Sequence, residues 1–107
     1  MSLRSKLKQR LPWFLKRGKM CEHVELIQKV TPSAEGCEEC LQTGDRWVHL
    51  RMCLICGHVG CCDNSRNKHA TMHFKETGHP LIQSFEPGES WVWCYIDREM
   101  LPGEVAK

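Results

Sequence analysis

No apolar run in this 107-residue chain approaches the ~20 residues that cross a bilayer as a helix, so no membrane-spanning helix is expected. The N-terminal stretch is basic, but the apolar segment that would complete a secretory signal does not follow it. Nucleotide cradles are missing: neither GxxxxGKS/T nor GxGxxG occurs. HExxH and GxSxG are missing too, which leaves the common metalloprotease and serine-hydrolase signatures unmatched. No internal repeat stands out beyond two C-x-x-C knuckles. Acidic charge is absent from residues 1–19, which carry Arg4, Lys6, Lys8, Arg10, Lys16, Arg17 and Lys19. That arm is therefore +7; the other eight basic and thirteen acidic residues give −5, and the chain nets +2. A basic arm precedes a mildly acidic domain.

What the chain has in excess is sulfur and imidazole. Its length makes one domain with a modest core, and small domains often add metals or disulfides. Eight cysteines and six histidines suit the metal better, because a disulfide framework has no use for the imidazoles. The cysteines come as Cys37-x-x-Cys40, Cys53-x-x-Cys56 and Cys21-x-His23, which is ligand spacing. A reducing compartment is then expected, hence a cytoplasmic protein. The densest stretch holds Cys53, Cys56, Cys61 and Cys62, then His69, His73 and His79. Thiolate and imidazole are the ligands zinc prefers in tetrahedral sites. Seven exceed one site, so either they are shared with partners among Cys21, His23, Cys37, Cys40 and Cys94 or some of them are not ligands.

Along the chain, Leu3, Leu7 and Leu11 alternate with basic residues as in an amphipathic helix, interrupted at Pro12. Such an arm suits an anionic membrane surface or nucleic acid, or a tail docked by its leucines and Trp13. Residues 24–30 read as strand or loop. Arg46–Met52 alternates and reads as a strand, with Val48, Leu50 and Met52 toward the core and Trp47, His49 and Arg51 on the other face. His49 is then no ligand. Gly57 suits the positive φ of a knuckle turn. Cys61 and Cys62 point opposite ways in extended chain, so at most one joins a given ion and the other is a buried thiol. Asp63, Asn64 and Ser65 are good N-caps, which starts a helix near Ser65. It runs to about Thr77, with Gly78 as C-cap. His69 and His73 share one face of it, one turn apart, and Ala70 and Phe74 pack inward. Leu81–Phe85 and Ser90–Ile96 read as strands. In the second, Val92, Cys94 and Ile96 face the core, and Trp91, Trp93 and Tyr95 form an aromatic face that suggests a binding platform. The segment after Arg98 reads as loop.

Taken together, Cys21-x-His23, Cys37-x-x-Cys40, Trp47, Arg51, the run CLICGHVGC from Cys53, the His69-Ala70/His73/His79-Pro80 set and Trp91-x-Trp93-Cys94-Tyr95 resemble the zinc finger of ubiquitin-specific proteases. This UBP-type finger is also called PAZ or BUZ. The resemblance spans about residues 21–97, and the chain also resembles the small stand-alone bacterial members, which have GCCD where the eukaryotic finger has GCGR. It implies an α+β fold: a small twisted antiparallel sheet with one main helix packed on it. The expected organisation is a basic segment (1–19), the finger domain (20–100) and a tail (101–107). It also implies up to three zinc ions. The first would be held by Cys21, His23, Cys94 and Asp97, the last standing where the family has cysteine. The second takes Cys37, Cys40, His69 and Cys61 or Cys62, with Cys61 preferred because the run before it matches without a gap. The third takes Cys53, Cys56, His73 and His79. Sites closed by four protein ligands are structural, and a catalytic zinc would keep a position open.

No protease catalytic domain accompanies the finger, so no enzyme activity is expected. Family members that bind ligands grip the free C-terminal carboxylate of ubiquitin in a slot of aromatic rings, matched here by Trp93 and Tyr95. The family arginine beside that slot is replaced by Asp63 or Asn64, and like charge disfavours a docking carboxylate. The expectation is a non-catalytic zinc module for a protein or peptide, contacted through Trp91, Trp93 and Tyr95. The alternative is nucleic-acid or anionic-membrane attachment through residues 1–19.

Overall fold

The computed structural model describes residues 21–107. The expectations for the basic arm lie outside the described residues. Five short strands form one antiparallel sheet: β1 (Leu50–Cys53), β2 (Val59–Cys61), β3 (Leu81–Ser84), β4 (Val92–Cys94) and β5 (Glu99–Leu101), in the order β2-β1-β3-β4-β5. Two helices accompany it, α1 (Glu38–Thr43) and α2 (His69–Thr77). Short 3-10 turns cover Glu22–Leu26 and Gly103–Ala106. The α+β class and the single main helix on a twisted sheet agree with the sequence. Among the described residues no helix is long and apolar enough to cross a membrane.

Cross-strand partners share a sheet face, so the register sorts the side chains. Leu50 lies opposite Cys61, Leu81 opposite Cys94, and Val92 opposite Leu101. These residues are buried and face one core. One part of it is Cys21, Leu54, Leu81, Val92, Cys94 and Leu101, closed by Val24, Val105 and Ala106 of the two 3-10 turns and by Ile27, which follows the first. The other is Cys37, Cys40, Leu50, Val59 and Cys61, covered by Trp47 and Phe85. Thiols are small and soft enough to fill such positions, but five of these eleven core residues are cysteines, and a core so rich in sulfur points to a second use for it.

The opposite face carries Cys53, Ile82, Trp93 and Met100, which pair in turn across β1, β3, β4 and β5, and Arg51, which pairs with Ser84 in the neighbouring row. Helix α2 lies over the β2–β1 end of this face. Its approach is set by Gly60, where a Cβ would sit 2.7 Å from the Ala70 nitrogen. Toward β4 and β5 the face opens: Ile82 is buried, Trp93 half-buried and Met100 exposed.

Four local readings are corrected. Residues 24–26 belong to the 3-10 turn of Glu22–Leu26, not to a strand. The strand expected from Arg46 pairs only from Leu50, and Val48 is exposed, its N–H donating to Ser65 Oγ at 2.8 Å. Ile96 is exposed because the chain leaves the sheet after Cys94, turns with Arg98 at φ 56°, and returns as β5, read from sequence as loop. Helix α2 begins at His69, not near Ser65. Ser65 is buried and spends its hydroxyl on Val48, so it does not cap the helix. The His69 N–H instead donates to Cys61 Sγ at 3.3 Å, a sulfur in the role of an N-cap acceptor.

Candidate functional site

All eight cysteines are free thiols. Three groups of four Cys, His and Asp side chains bring one ligand atom each to within 4.8 Å of one another. In the first, His23 Nδ1 lies 3.3 Å from Cys21 Sγ, 3.5 Å from Cys94 Sγ and 3.2 Å from Asp97 Oδ2. The second places His69 Nδ1 at 3.2, 3.4 and 3.6 Å from the sulfurs of Cys37, Cys40 and Cys61. In the third, Cys53 Sγ is 3.6 Å from His79 Nδ1, and Cys56 Sγ is 3.3 Å from His73 Nε2. One ring nitrogen cannot hydrogen-bond three thiols at once. It can share a tetrahedral ion with them: with Zn–S about 2.3 Å and Zn–N about 2.0 Å, adjacent ligand atoms stand roughly 3.5 Å apart. The observed separations match that edge, so the residues fit zinc.

Local structure prepares each cluster. In the knuckle after β1, Gly57 takes φ 87° and a Cβ there would meet the Thr31 carbonyl, so the turn that returns Cys56 beside Cys53 demands glycine. Backbone N–H groups of Ile55 and Asp97 donate to Cys53 and Cys94 sulfur at 3.4 and 3.3 Å. Such donors stabilise thiolate. Without a cation the buried thiols hold their protons: burial pushes Cys21 and Cys37 up to about 12. Burial, then the neighbouring His58 and His79, hold His73 down at about 4, which keeps its ring neutral and available as a ligand.

The paired cysteines separate as their opposite directions require. Cys61 joins Cys37, Cys40 and His69. Cys62 turns away to lie 3.6 Å from Ser65 Oγ. Burial opposes ionisation of Cys62, but the Ser65 hydrogen bond, backbone N–H groups and Arg51 outweigh it and lower its pKa. His49 is exposed and joins no cluster. His58, left without a role by the sequence, is buried between two clusters. Its Nε2 lies 2.8 Å from Glu39 of α1, and its ring stacks on His73 at 4.1 Å.

On the open face of the sheet a cleft of about 240 Å³ is lined by Arg51, Asp63, Asn64, Trp91, Trp93 and Tyr95, among others. It brings together the three aromatics expected as a platform. Tyr95 is anchored: its ring stacks on Phe74 of α2 at 4.6 Å, and its hydroxyl lies 3.2 Å from Thr71 Oγ1. Arg51 is the lining residue that sequence reasoning missed. The signal was there, since Arg51 falls on the non-core face of its strand, but the register that aligns this face with Trp93 was not.

The chain matches the family model for the Zn-finger in ubiquitin-hydrolases and other protein over residues 37–105. Ubiquitin carboxyl-terminal hydrolase 44 of Danio rerio is 34% identical over 82 residues, covering 71% of this chain and 11% of that protein. Ubiquitin carboxyl-terminal hydrolase 45 of Mus musculus is 31% identical, covering 78% of this chain and 12% of its own length. The chain thus spans about a tenth of these relatives. The solution NMR structure of a protein from Rhodopseudomonas palustris superposes with a TM-score of 0.75 at 56% identity, over 82% of this chain and 87% of that one. With the clusters and the sheet in place, these matches make one conclusion: the chain belongs to the zf-UBP family of zinc fingers, and it binds zinc.

Proposed function

We propose that this domain is a non-catalytic binding module in which three zinc ions fix a sheet whose open face receives a protein or peptide. The twelve ligands are Cys21, His23, Cys94 and Asp97; Cys37, Cys40, Cys61 and His69; and Cys53, Cys56, His73 and His79. The observation that carries this is the closure of each cluster by four side chains around ligand-edge distances. Bound zinc supplies the positive charge that keeps the thiolates ionised; with four protein ligands per ion, no position is left for a reacting water.

The chain's own residues do the rest. Helix α2 supplies one ligand to each of two clusters, His69 and His73, one turn apart. Asp97, following β4, and His23, before the sheet begins, close the remaining cluster, with Cys21 and Cys94. The sheet thus held leaves Trp91, Trp93 and Tyr95 half-exposed in one cleft, where aromatic faces offer large contact area with little entropy to lose. Several relatives are named for ubiquitin hydrolysis, which supports a protein partner as the class; Asp63 in the cleft argues against a ligand that offers a carboxylate alone. A reducing cytoplasmic setting fits eight unpaired thiols.

The test has two readouts on protein expressed with added zinc. Native mass spectrometry is expected to count three ions, and 15N NMR to show Trp91 and Trp93 indole signals moving with peptide ligands. One or two ions, or peptide-induced shifts confined to another face, would overturn the reading.

A further inference from the structure

His58 stands between two of the clusters and touches both. Its carbonyl accepts from the N–H of Cys53, a ligand of one, at 2.8 Å. The next residue, Val59, opens β2, whose Cys61 is a ligand of the other. The buried ring repeats the pattern. It stacks on His73 at 4.1 Å with 6° between the planes, and His73 in turn meets the edge of His79 at 5.3 Å. The His58 Nε2–H donates to the Glu39 carboxylate, 2.8 and 3.0 Å from its two oxygens. Glu39 falls between Cys37 and Cys40 at the start of α1, and its Oε1 lies 4.0 Å from Cys37 Sγ. The ring is also pressed against β2: a Cβ on Gly60 would come within 2.9 Å of it.

These contacts matter because the parts they join are weak alone. Helix α1 has six residues, fewer than a helix needs to stand in water. Cys37 and Cys40 hold it, so its order depends on the ion that those sulfurs bind. When α1 is released, Glu39 leaves His58. A buried N–H without an acceptor is costly, so the ring moves, and its stack on His73 goes with it. A ligand ring already held in place binds metal more tightly than one that must be ordered on binding. Loss of one ion thus weakens the hold on the other, and by linkage the effect is reciprocal. The cluster of Cys21, His23, Cys94 and Asp97 stands outside this path: among the described residues no hydrogen bond joins its ligands to His58 or Glu39.

We propose that Glu39 and His58 are positioning residues that couple two zinc sites. The ion held by Cys37, Cys40, Cys61 and His69 and the ion held by Cys53, Cys56, His73 and His79 load and leave together, while the remaining ion exchanges independently. This rests on the three-ion reading proposed above. Helix α2 also spans the two sites, through His69 and His73, so the test isolates the Glu39–His58 link.

The zinc-loaded full chain is titrated with a chelator. Native mass spectrometry counts the ions, and the 13Cβ signals of Cys40 and Cys56, which differ between zinc-bound and free thiol, report which of the two sites is filled. Glu39→Ala removes the link. His58→Phe keeps a flat ring on His73 but loses the bond to Glu39. Glu39→Gln keeps an oxygen for the His58 N–H. With roughly tenfold coupling through the link, the form holding only one of the two ions should be scarce in the parent and rise roughly two- to threefold at its peak in Glu39→Ala and His58→Phe. Glu39→Gln is expected to stay near the parent, a rescue that a general loss of stability would not produce. Glu39 is half-exposed, so Glu39→Ala carries the test should His58→Phe fail to fold. Three ions released independently by the parent, or a one-ion population that Glu39→Ala leaves unchanged or that Glu39→Gln raises as much, overturn the coupling alone. A loaded parent with fewer than three ions overturns the three-ion reading and the coupling with it.

Discussion

Tyr95 is the single tyrosine of the chain, which makes its hydroxyl directly observable. Burial pushes its pKa up from 10.0 to about 12; Thr71 and Arg51 pull the other way, and Asp63 adds to the rise. The folded state therefore keeps this proton after an unfolded chain has lost it. As pH rises above 10, the unfolded state is favoured progressively, so the domain loses stability between pH 10 and about 12. Absorbance at 295 nm should show one tyrosine ionising near 12, and a midpoint near 10 would mean that the hydroxyl is not buried against α2. Cys61 and Cys62 give a second contrast between neighbours. Cys61→Ser is expected to release one zinc in native mass spectrometry, and Cys62→Ser none; the reverse pattern would transfer the ligand role. Sequence left that pair open because both thiols sit within reach of the same loop. Only the fold shows Cys62 N–H bonded to the His49 carbonyl and its sulfur turned to Ser65. Asp97 is the exposed member of its cluster, and a carboxylate grips zinc less firmly than thiolate does. Under limiting chelator the first ion lost should be the one among Cys21, His23, Cys94 and Asp97, and Asp97→Cys should delay that loss. Unchanged order of release in Asp97→Cys would sink the assignment.

At the scale of elements, the parts set by ligand spacing were legible and the parts set by turn geometry were not. The knuckle at Cys53–Cys56, the helix bearing His69 and His73 and the glycine that ends it all follow from residue types at fixed offsets. The start of α2 did not, because three good capping residues stood three to five positions before the N-cap at Lys68 and a thiol took the capping role. Strand β5 was missed since its turn uses Arg98 at positive φ, where sequence offers no glycine to announce it. The core face of β1 was right at Leu50 and Met52 and wrong at Val48, which lies before the ladder begins. Gly57 is where an element and a metal cluster depend on one backbone angle. Gly57→Ala meets both a positive φ and the Thr31 carbonyl, so a loss of about 2 kcal/mol is expected, lowering the thermal midpoint of the zinc-loaded domain by roughly 10 °C. A midpoint within 2–3 °C of the parent would show, on the same scaling, that the turn relaxes.

For the whole molecule, the balance between core and metal decides stability. Two small apolar clusters, with cysteine at five positions, carry the interior. A structural zinc contributes on the order of 10 kcal/mol of apparent folding free energy, as much as the net stability of a typical domain. Removing zinc with a chelator should therefore unfold residues 21–107, seen as collapse of amide signal dispersion; a dispersed spectrum after complete metal removal would show that the sheet stands by itself. The overall class was legible because ligand order along the chain fixes which segments must meet. The strand order, and with it the cleft that places Arg51 beside Trp91, was not, because register depends on turns whose conformation the residue pattern does not declare.

The cluster that unites His23 and Asp97 has a mechanical meaning. These residues are 74 positions apart, yet their side chains meet at 3.2 Å. A load drawn in from the N-terminal side enters the described domain at this clasp, whereas one drawn in from the C-terminal side passes first through β5 and its ladder with β4. Pulled between residue 21 and the turn at Asp97, the domain should therefore yield only when the clasp gives way, at a force that drops when Asp97 loses its carboxylate.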